Sequence, residues 1–86
     1  MSIEFPPKSI PLLIREFNGR ILSGIITAID HKRKMIRLSQ VSVLEVIGLK
    51  SGLEPIYDKK RNIVGFVDIS AETIIHWEKL PDYLEI

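Results

Sequence analysis

The residues best suited to chemistry are two histidines and one aspartate, and their spacing argues against catalysis. His31 and His76 lie far apart in the chain, and neither is flanked by further ligands at metal-binding spacing. Asp30 has no partner carboxylate, serine–histidine pair or glycine-rich phosphate loop beside it. We therefore expect a protein that is not an enzyme and that holds no metal, cofactor or small-molecule substrate.

Two basic runs offer a second kind of chemistry, contact with the phosphates of RNA. One run extends from His31 to Lys34, and the other lies between Asp58 and Asn62. Point charges of this kind bind phosphate, but no aromatic residue lies near the first run to stack a base. Both runs are therefore interpreted first as solvated turns, with a weak RNA contact as the alternative. The residues of that alternative contact are Lys32, Arg33, Lys34 and Arg37.

The length and composition of the chain predict one small domain. The chain has 86 residues, a formal net charge of +1 and no cysteine, which excludes disulfides and thiolate metal sites. The hydrophobic fraction of 45% is high for this size and indicates apolar surface that a partner covers. No apolar run approaches the roughly 20 residues of a membrane span, and the acidic, proline-bearing N-terminus is not typical of a signal peptide. We expect a soluble intracellular protein.

Two long strands are the clearest elements that would position these residues. Arg20–Asp30 is dense in β-branched side chains, and Gly24 within it indicates a bend, a bulge or a close backbone approach. Met35–Val46 is a second strand, in which the apolar positions change phase near Ser39. Such a phase change predicts a bulge, which curls a sheet onto itself.

The rest of the chain is expected to complete a small barrel. Ser9–Phe17 fits an amphipathic helix and a short apolar strand equally well, and Gly48–Asn62 is interpreted as a polar connection. Further short strands are predicted at Ile63–Ile69 and Thr73–Trp77. A count of five short strands predicts an all-β, strongly bent antiparallel barrel. The predicted divisions are an N-terminal arm (1–9), the barrel domain (10–77) and a C-terminal tail (78–86).

Two stretches resemble the motifs of the Sm-like (LSm) family. Phe17–Asp30 is similar to the first Sm motif, with a hairpin, a glycine within the strand and an aspartate six residues later. Ile69–Ile74 lies where the second Sm motif has its turn before the last strand. The resemblance implies that Ile10–Phe17 is a first strand and that the family's N-terminal helix is short or absent. It also implies structural roles for Gly24 and for Asp30, whose carboxylate would bond the backbone of the following turn.

The chain departs from the ring-forming members at the residues that hold uridine. No asparagine follows Asp30, and Ser70 and Ala71 occupy the positions of the arginine–glycine pair. The pattern is instead similar to divergent Sm-like domains, first the Gemin subunits of the survival-motor-neuron complex, then the enhancer-of-decapping and Trailer-hitch proteins. The resemblance implies a non-catalytic scaffold of spliceosomal snRNP assembly, and hence of mRNA splicing, in the cytoplasm and nucleus. The alternatives are an RNA-binding ring subunit, a scaffold of mRNA decapping, and a PRC-barrel, to which Pro55–Gly65 is similar.

The resemblance also implies where a partner would bind. In Sm-like proteins the fourth strand of one subunit pairs with the fifth strand of its neighbour, so we expect another Sm-like protein to add a strand here, in a heteromeric complex. The predicted contact residues are Ile63, Val64, Phe66, Val67, Ile69, Thr73, Ile75 and Trp77. Trp77 is either an anchor of that contact or a plug at the end of the barrel. For the tail, a docking role and a frayed terminus are both open.

Overall fold

The chain folds as a single antiparallel sheet of six strands. The computed structural model describes residues 5–84. The elements are β1 (Pro11–Glu16), β2 (Ile21–Asp30), β3 (Met35–Leu49), β4 (Pro55–Asn62), β5 (Phe66–Ser70), a 3₁₀ turn (Ala71–Thr73) and β6 (Ile74–Lys79). The predicted all-β, bent antiparallel fold is confirmed, with six strands in place of five. Within residues 5–84 no helix is long and apolar enough to cross a membrane.

β3 organises the sheet because it pairs with three other strands. The order is β4-β3-β2-β1-β6, and β5 pairs with the first part of β3 while β4 pairs with the second part. The partner changes at Gln40, whose φ of 55° interrupts the strand and leaves β3 with one extra residue opposite Gly24. A Cβ on Gly24 would approach the Ser39 carbonyl oxygen to 3.0 Å. The predicted bulge and close approach are therefore both confirmed, and together they bend the sheet.

β1 is buried on both faces. Leu12, Leu13 and Ile14 are all fully buried, because successive side chains of a strand point to opposite faces and each face carries an apolar cluster. The larger cluster contains Leu12, Ile14, Leu22, Ile26, Ile36, Leu38, Val41 and Ile69. The smaller cluster contains Leu13, Leu44, Tyr57 and Leu84. Burial of one such aliphatic side chain stabilises the fold by roughly 1.5–3 kcal/mol, so this short run favours a strand over the amphipathic helix that its spacing also allows.

The structure corrects the interpretation of Gly48–Asn62 as a polar connection. β4 occupies its second half, so the basic run after Asp58 is strand rather than turn. The charged residues of this run have low strand propensity. Pairing with β3 and a hydrogen bond from Ser42 Oγ to Asn62 Oδ1 (2.7 Å) hold them extended. Long-range pairing therefore overrides local propensity in β4.

The last two strands begin later than predicted. Ile63 and Val64 precede β5, because Gly65 has a φ of 88° and interrupts the extended chain. Ile63 nevertheless donates its N–H to the Val41 carbonyl (2.8 Å), which fixes its position beside β3. Thr73 ends the 3₁₀ turn and lies just before β6.

Both ends of the described chain pack against the sheet. Phe5 contacts the larger cluster and lies edge-on to the ring of His31, with ring centroids 5.0 Å apart. At the other end β6 continues to Lys79 and Leu84 is only 7% exposed. The boundary predicted after residue 77 thus falls inside β6, and a frayed terminus does not describe residues 78–84. The remaining parts of the predicted arm and tail, 1–4 and 85–86, lie outside the described residues.

Candidate partner-binding sheet edges

The outer edge of β5 presents unpaired main-chain groups. The N–H of Ala71 donates to the Lys34 carbonyl (2.8 Å) and continues the ladder between β5 and β3. Hydrogen-bonded and non-hydrogen-bonded pairs alternate along an antiparallel ladder, so every second residue of β5 bonds β3. The main-chain groups that face away from β3 are those of Phe66, Asp68 and Ser70; of these, the Ser70 carbonyl accepts the Thr73 hydroxyl (2.7 Å). No strand in residues 5–84 pairs with this side of β5.

β6 is open in the same way on the side away from β1. The N–H of Leu80 donates to the Pro11 carbonyl (3.0 Å), which sets the phase of the ladder between β6 and β1. By the same alternation the main-chain groups of Trp77 and Lys79 face outward. In the described part of the chain no ladder joins β5 to β6. The sheet therefore remains unclosed between its last two strands.

β4 is a third edge strand, and two of its outward donors are capped by the chain's own side chains, which leaves only the N–H of Asn62, at the end of the strand, without an acceptor among residues 5–84. The N–H of Tyr57 donates to the hydroxyl of Tyr83 (3.0 Å), and the N–H of Lys59 donates to its neighbour Asp58 at Oδ1 (2.9 Å). Lys60 is exposed beyond them, and charge on an edge strand discourages pairing with another strand. Of the three edges, β4 is therefore protected, whereas β5 and β6 are not.

Apolar side chains surround the open edges. Val64 is 100% exposed, Phe66 53%, Ile75 61% and Phe17 70%. Phe17 belongs to this region because its N–H donates to the Thr73 carbonyl (2.9 Å). Exposed apolar groups gathered beside unpaired backbone are typical of a surface that another chain covers.

The eight predicted contact residues divide into two groups. Val64, Phe66 and Ile75 present their side chains to solvent. The other five turn theirs wholly or partly toward the interior: Ile63, Val67, Ile69, Thr73 and Trp77. Trp77 packs against the larger cluster opposite Ile14, so its side chain lies on the core side and its main-chain groups face the edge.

The charge on β5 is neutralised by a neighbouring arginine. Arg37 donates from Nε and Nη2 to the two carboxylate oxygens of Asp68 (2.9 and 3.1 Å), and its Cζ lies 3.8 Å from the ring centroid of Phe66. The hydrogen bond to Arg37 holds the pKa of Asp68 below its ordinary value, and the same bond raises the pKa of Arg37. Arg37, predicted as a weak phosphate contact, is thus engaged within the chain and stiffens the open edge.

The turn after β2 is organised as its sequence predicts. Asp30 Oδ1 accepts hydrogen bonds from the backbone N–H groups of Lys32 (3.1 Å) and Arg33 (3.0 Å). Lys34 Nζ lies 3.7 Å from Glu72 Oε1 in the 3₁₀ turn. The basic side chains of the turn are exposed, and β4's basic run pairs with a later part of β3, so the two runs do not converge on one surface.

Glu16, to which the sequence pattern assigns no role, anchors the connection between the open edges. Its carboxylate is only 4% exposed, pairs with Arg20 Nε, and lies 3.1 Å from Thr73 Oγ1, whose shorter hydrogen bond (2.7 Å) goes to the Ser70 carbonyl. The only signal in the sequence is the four-residue spacing of Glu16 and Arg20. That spacing gives no hint of the contact with Thr73, which depends on the pairing of β1 with β6.

Comparisons with known proteins find no match. No family model matches the sequence, and no curated protein or solved structure matches it either. Across residues 5–84 no cluster of three or more His, Asp or Glu side chains could hold a metal ion. The geometry of the edges and the resemblance of the two motifs are therefore the observations that bear on function.

Proposed function

We propose that this chain is a non-catalytic Sm-like scaffold subunit that binds a second Sm-like protein by β-strand addition at β5 or β6. The observation that supports this most is the contrast among the edges: within residues 5–84 the outward N–H groups of Tyr57 and Lys59 on β4 are capped, whereas the outward N–H groups of β5 and β6 lack an acceptor. A partner strand would complete these hydrogen bonds and cover the exposed apolar side chains beside them.

Because the chain resembles the divergent Sm-like domains, the proposal also includes the cellular process in which the chain acts. A 3₁₀ turn lies between the last two strands, and the resemblance assigns the turn of the second Sm motif to the same residues, which supports the proposal. In this proposal the chain acts in spliceosomal snRNP assembly as a Gemin-type subunit, in the cytoplasm and nucleus. RNA contact is then indirect or weak, because the partner and not the nucleic acid occupies the open edges.

The energetics of strand addition favour one well-packed edge contact. A net hydrogen bond contributes about 1 kcal/mol, and burial of Val64, Phe66 or Ile75 adds roughly 1.5–3 kcal/mol for each side chain. Association costs an estimated 4–15 kcal/mol in lost translational and rotational freedom. Hydrogen bonds alone therefore do not suffice, and the apolar side chains beside the strand must be buried in the same contact.

The molar mass of the chain in solution tests the proposal. We expect light scattering to show a heteromer when the chain is mixed with a Gemin-type Sm-like protein. We also expect the fluorescence of the single tryptophan to change on binding, because the backbone of Trp77 lies on an open edge. A chain that remains monomeric, alone and with every Sm-like candidate, contradicts it. Capture by decapping factors instead of splicing-assembly factors favours the decapping alternative.

A further inference from the structure

Three clefts on the surface differ in how their charges are balanced. The cleft beside the turn after β2 contains the ion pairs of Asp30 with Arg33 and of Arg37 with Asp68. The cleft beside the tail contains carboxylates as well as a lysine. The third cleft, of about 250 Å³, lies between β3 and β4 and is lined by Gln40, Val41, Ser42, Lys59, Asn62 and Ile63. It is the only one of these three whose lining has a cation and no carboxylate.

The polar groups of this third cleft are mostly donors. Ser42 Oγ donates to Asn62 Oδ1 (2.7 Å), so the oxygen of the Asn62 amide is occupied and its NH₂ group is the part that remains for a ligand. No ion pair among residues 5–84 includes Lys59. Gln40 contributes a second side-chain amide. A cation combined with amide donors matches the charge and the acceptor-rich surface of a phosphate group.

Two irregularities of the sheet form the cleft. Gln40 has a φ of 55°, a left-handed conformation that is uncommon for a residue other than glycine. On the opposite strand, Val43 pairs with Arg61 and Leu44 with Lys59, so Lys60 is an extra residue in β4. The two bulges lie on either side of the pair formed by Ser42 and Asn62, and bulges of this kind redirect side chains. The lining is therefore built by the backbone and is not a chance grouping of surface lysines.

We propose that the cleft between Gln40 and Lys59 binds a phosphate group, supplied either by free phosphate or by the backbone of a single-stranded RNA. The exposed charges of Lys60 and Arg61 lie next to it on β4 and raise the local concentration of anions. The site is separate from the open edges of β5 and β6 and from the basic turn after β2. Its presence does not depend on the proposed function, and partner binding measured by molar mass does not test it.

The experiment is a titration of the isotope-labelled chain, followed by NMR, with two probes used separately. One probe is inorganic phosphate against chloride at matched ionic strength, and the other is a ten-nucleotide oligouridylate. We expect saturable shifts of the Gln40 and Asn62 side-chain amides, and an affinity about tenfold weaker in Lys59→Gln. Lys32→Gln is the matched control, since it removes the same charge from the competing basic turn. It should leave those shifts unchanged.

The outcomes separate the sources of phosphate and decide the proposal. Binding of phosphate but not RNA identifies a free phosphate ligand, and binding of RNA lost specifically in Lys59→Gln identifies the nucleic-acid backbone. In the RNA case the slope of log affinity against log salt should fall in magnitude by about 1 in that variant. If neither probe produces saturable shifts at the cleft, or if Lys59→Gln and Lys32→Gln weaken binding equally, the proposal is overturned.

Discussion

The edge strand β4 differs from the edge strands β5 and β6 in whether side chains of the same chain cap its outward N–H groups. On β4 the outward N–H groups of Tyr57 and Lys59 are occupied by Tyr83 and Asp58, and the strand carries charged side chains. β5 and β6 have outward N–H groups with no acceptor in residues 5–84, beside exposed apolar side chains. Protection of an edge strand therefore depends on particular side-chain acceptors and not on the position of the strand alone.

The largest expected effect comes from removing the side chain that holds the tail over β4. Leu84→Ala leaves a cavity in the smaller cluster and should lower the free energy of unfolding by about 2–5 kcal/mol. Because the tail also carries Tyr83, the same change should uncap Tyr57 and convert β4 into an open edge. Urea unfolding measures the first effect and light scattering the second. A loss below about 1 kcal/mol would mean that the tail does not stabilise the fold.

The next effect concerns an open edge and uses two substitutions at one position. Ser70 has a φ of −76°, which suits proline, and its N–H faces away from β3. Ser70→Pro should weaken partner binding about tenfold or more, because it removes one hydrogen bond and places a ring where the partner strand would lie. Ser70→Ala, which loses the hydroxyl bonded to Glu72 N but keeps the outward N–H, is the control. Titration calorimetry that gives equal affinities for both variants contradicts pairing at β5.

A third variant tests whether the effect of a proline on stability depends on the direction in which the replaced N–H points. The N–H of Val67 bonds β3 rather than facing outward. Val67→Pro should therefore destabilise the isolated chain by about 3 kcal/mol, whereas Ser70→Pro should leave its unfolding midpoint close to that of Ser70→Ala. The comparison of midpoints in urea separates an edge effect from a folding effect. Equal destabilisation by the two prolines would show that the ladder has a different phase.

A smaller effect should open the protected edge without disturbing its core. Tyr83→Phe keeps the ring, which lies 5.2 Å from Lys50 Nζ, and removes only the hydroxyl that accepts the Tyr57 N–H. We expect a loss of about 1 kcal/mol in the free energy of unfolding and faster hydrogen exchange at Tyr57, with exchange at Lys59 unchanged. Unchanged exchange at Tyr57 would show that its amide is protected by another group.

The smallest effect is a change in pH dependence at β5. The hydrogen bond to Arg37 lowers the pKa of Asp68 in the folded chain, so the pair contributes stability at neutral pH, and this contribution is lost as the pH falls through that lowered value. In Arg37→Gln the pKa of Asp68, followed by NMR, should return toward the ordinary value for aspartate. Because both groups are exposed, the change in stability should be small. An unshifted titration in the variant would contradict the ion pair.

The sequence predicts those features that depend on local constraint. The phase change near Ser39 and the glycine opposite it predict the bulge, because only a residue without a side chain allows the approach to the Ser39 carbonyl. The turn after β2 is predicted from its run of charged residues, and the Sm-like resemblance implies the role of Asp30, whose carboxylate accepts the N–H groups of Lys32 and Arg33. Local sequence is sufficient in both places.

Features that depend on long-range register are not predictable in this way. The sequence does not predict β4 as a strand, because Lys59 and Lys60 have low strand propensity and are held extended only by pairing with β3. Which N–H groups of β5 face outward depends on the phase of its ladder with β3, which no local pattern reveals. The bond between Tyr57 and Tyr83 joins residues far apart in sequence that only the folded tail brings together. The protected edge and the open edges therefore look alike until the pairing is known.

Hydrogen exchange of single backbone amides tests the contrast between the edges most directly. In the free chain the amides of Phe66, Asp68, Ser70, Trp77 and Lys79 should exchange rapidly, while those of Tyr57 and Lys59 on β4 are protected. On addition of a Sm-like partner, the outward amides of β5 or of β6 should become protected together. Protection of these amides in the monomer, or no gain of protection in a complex, would contradict the account.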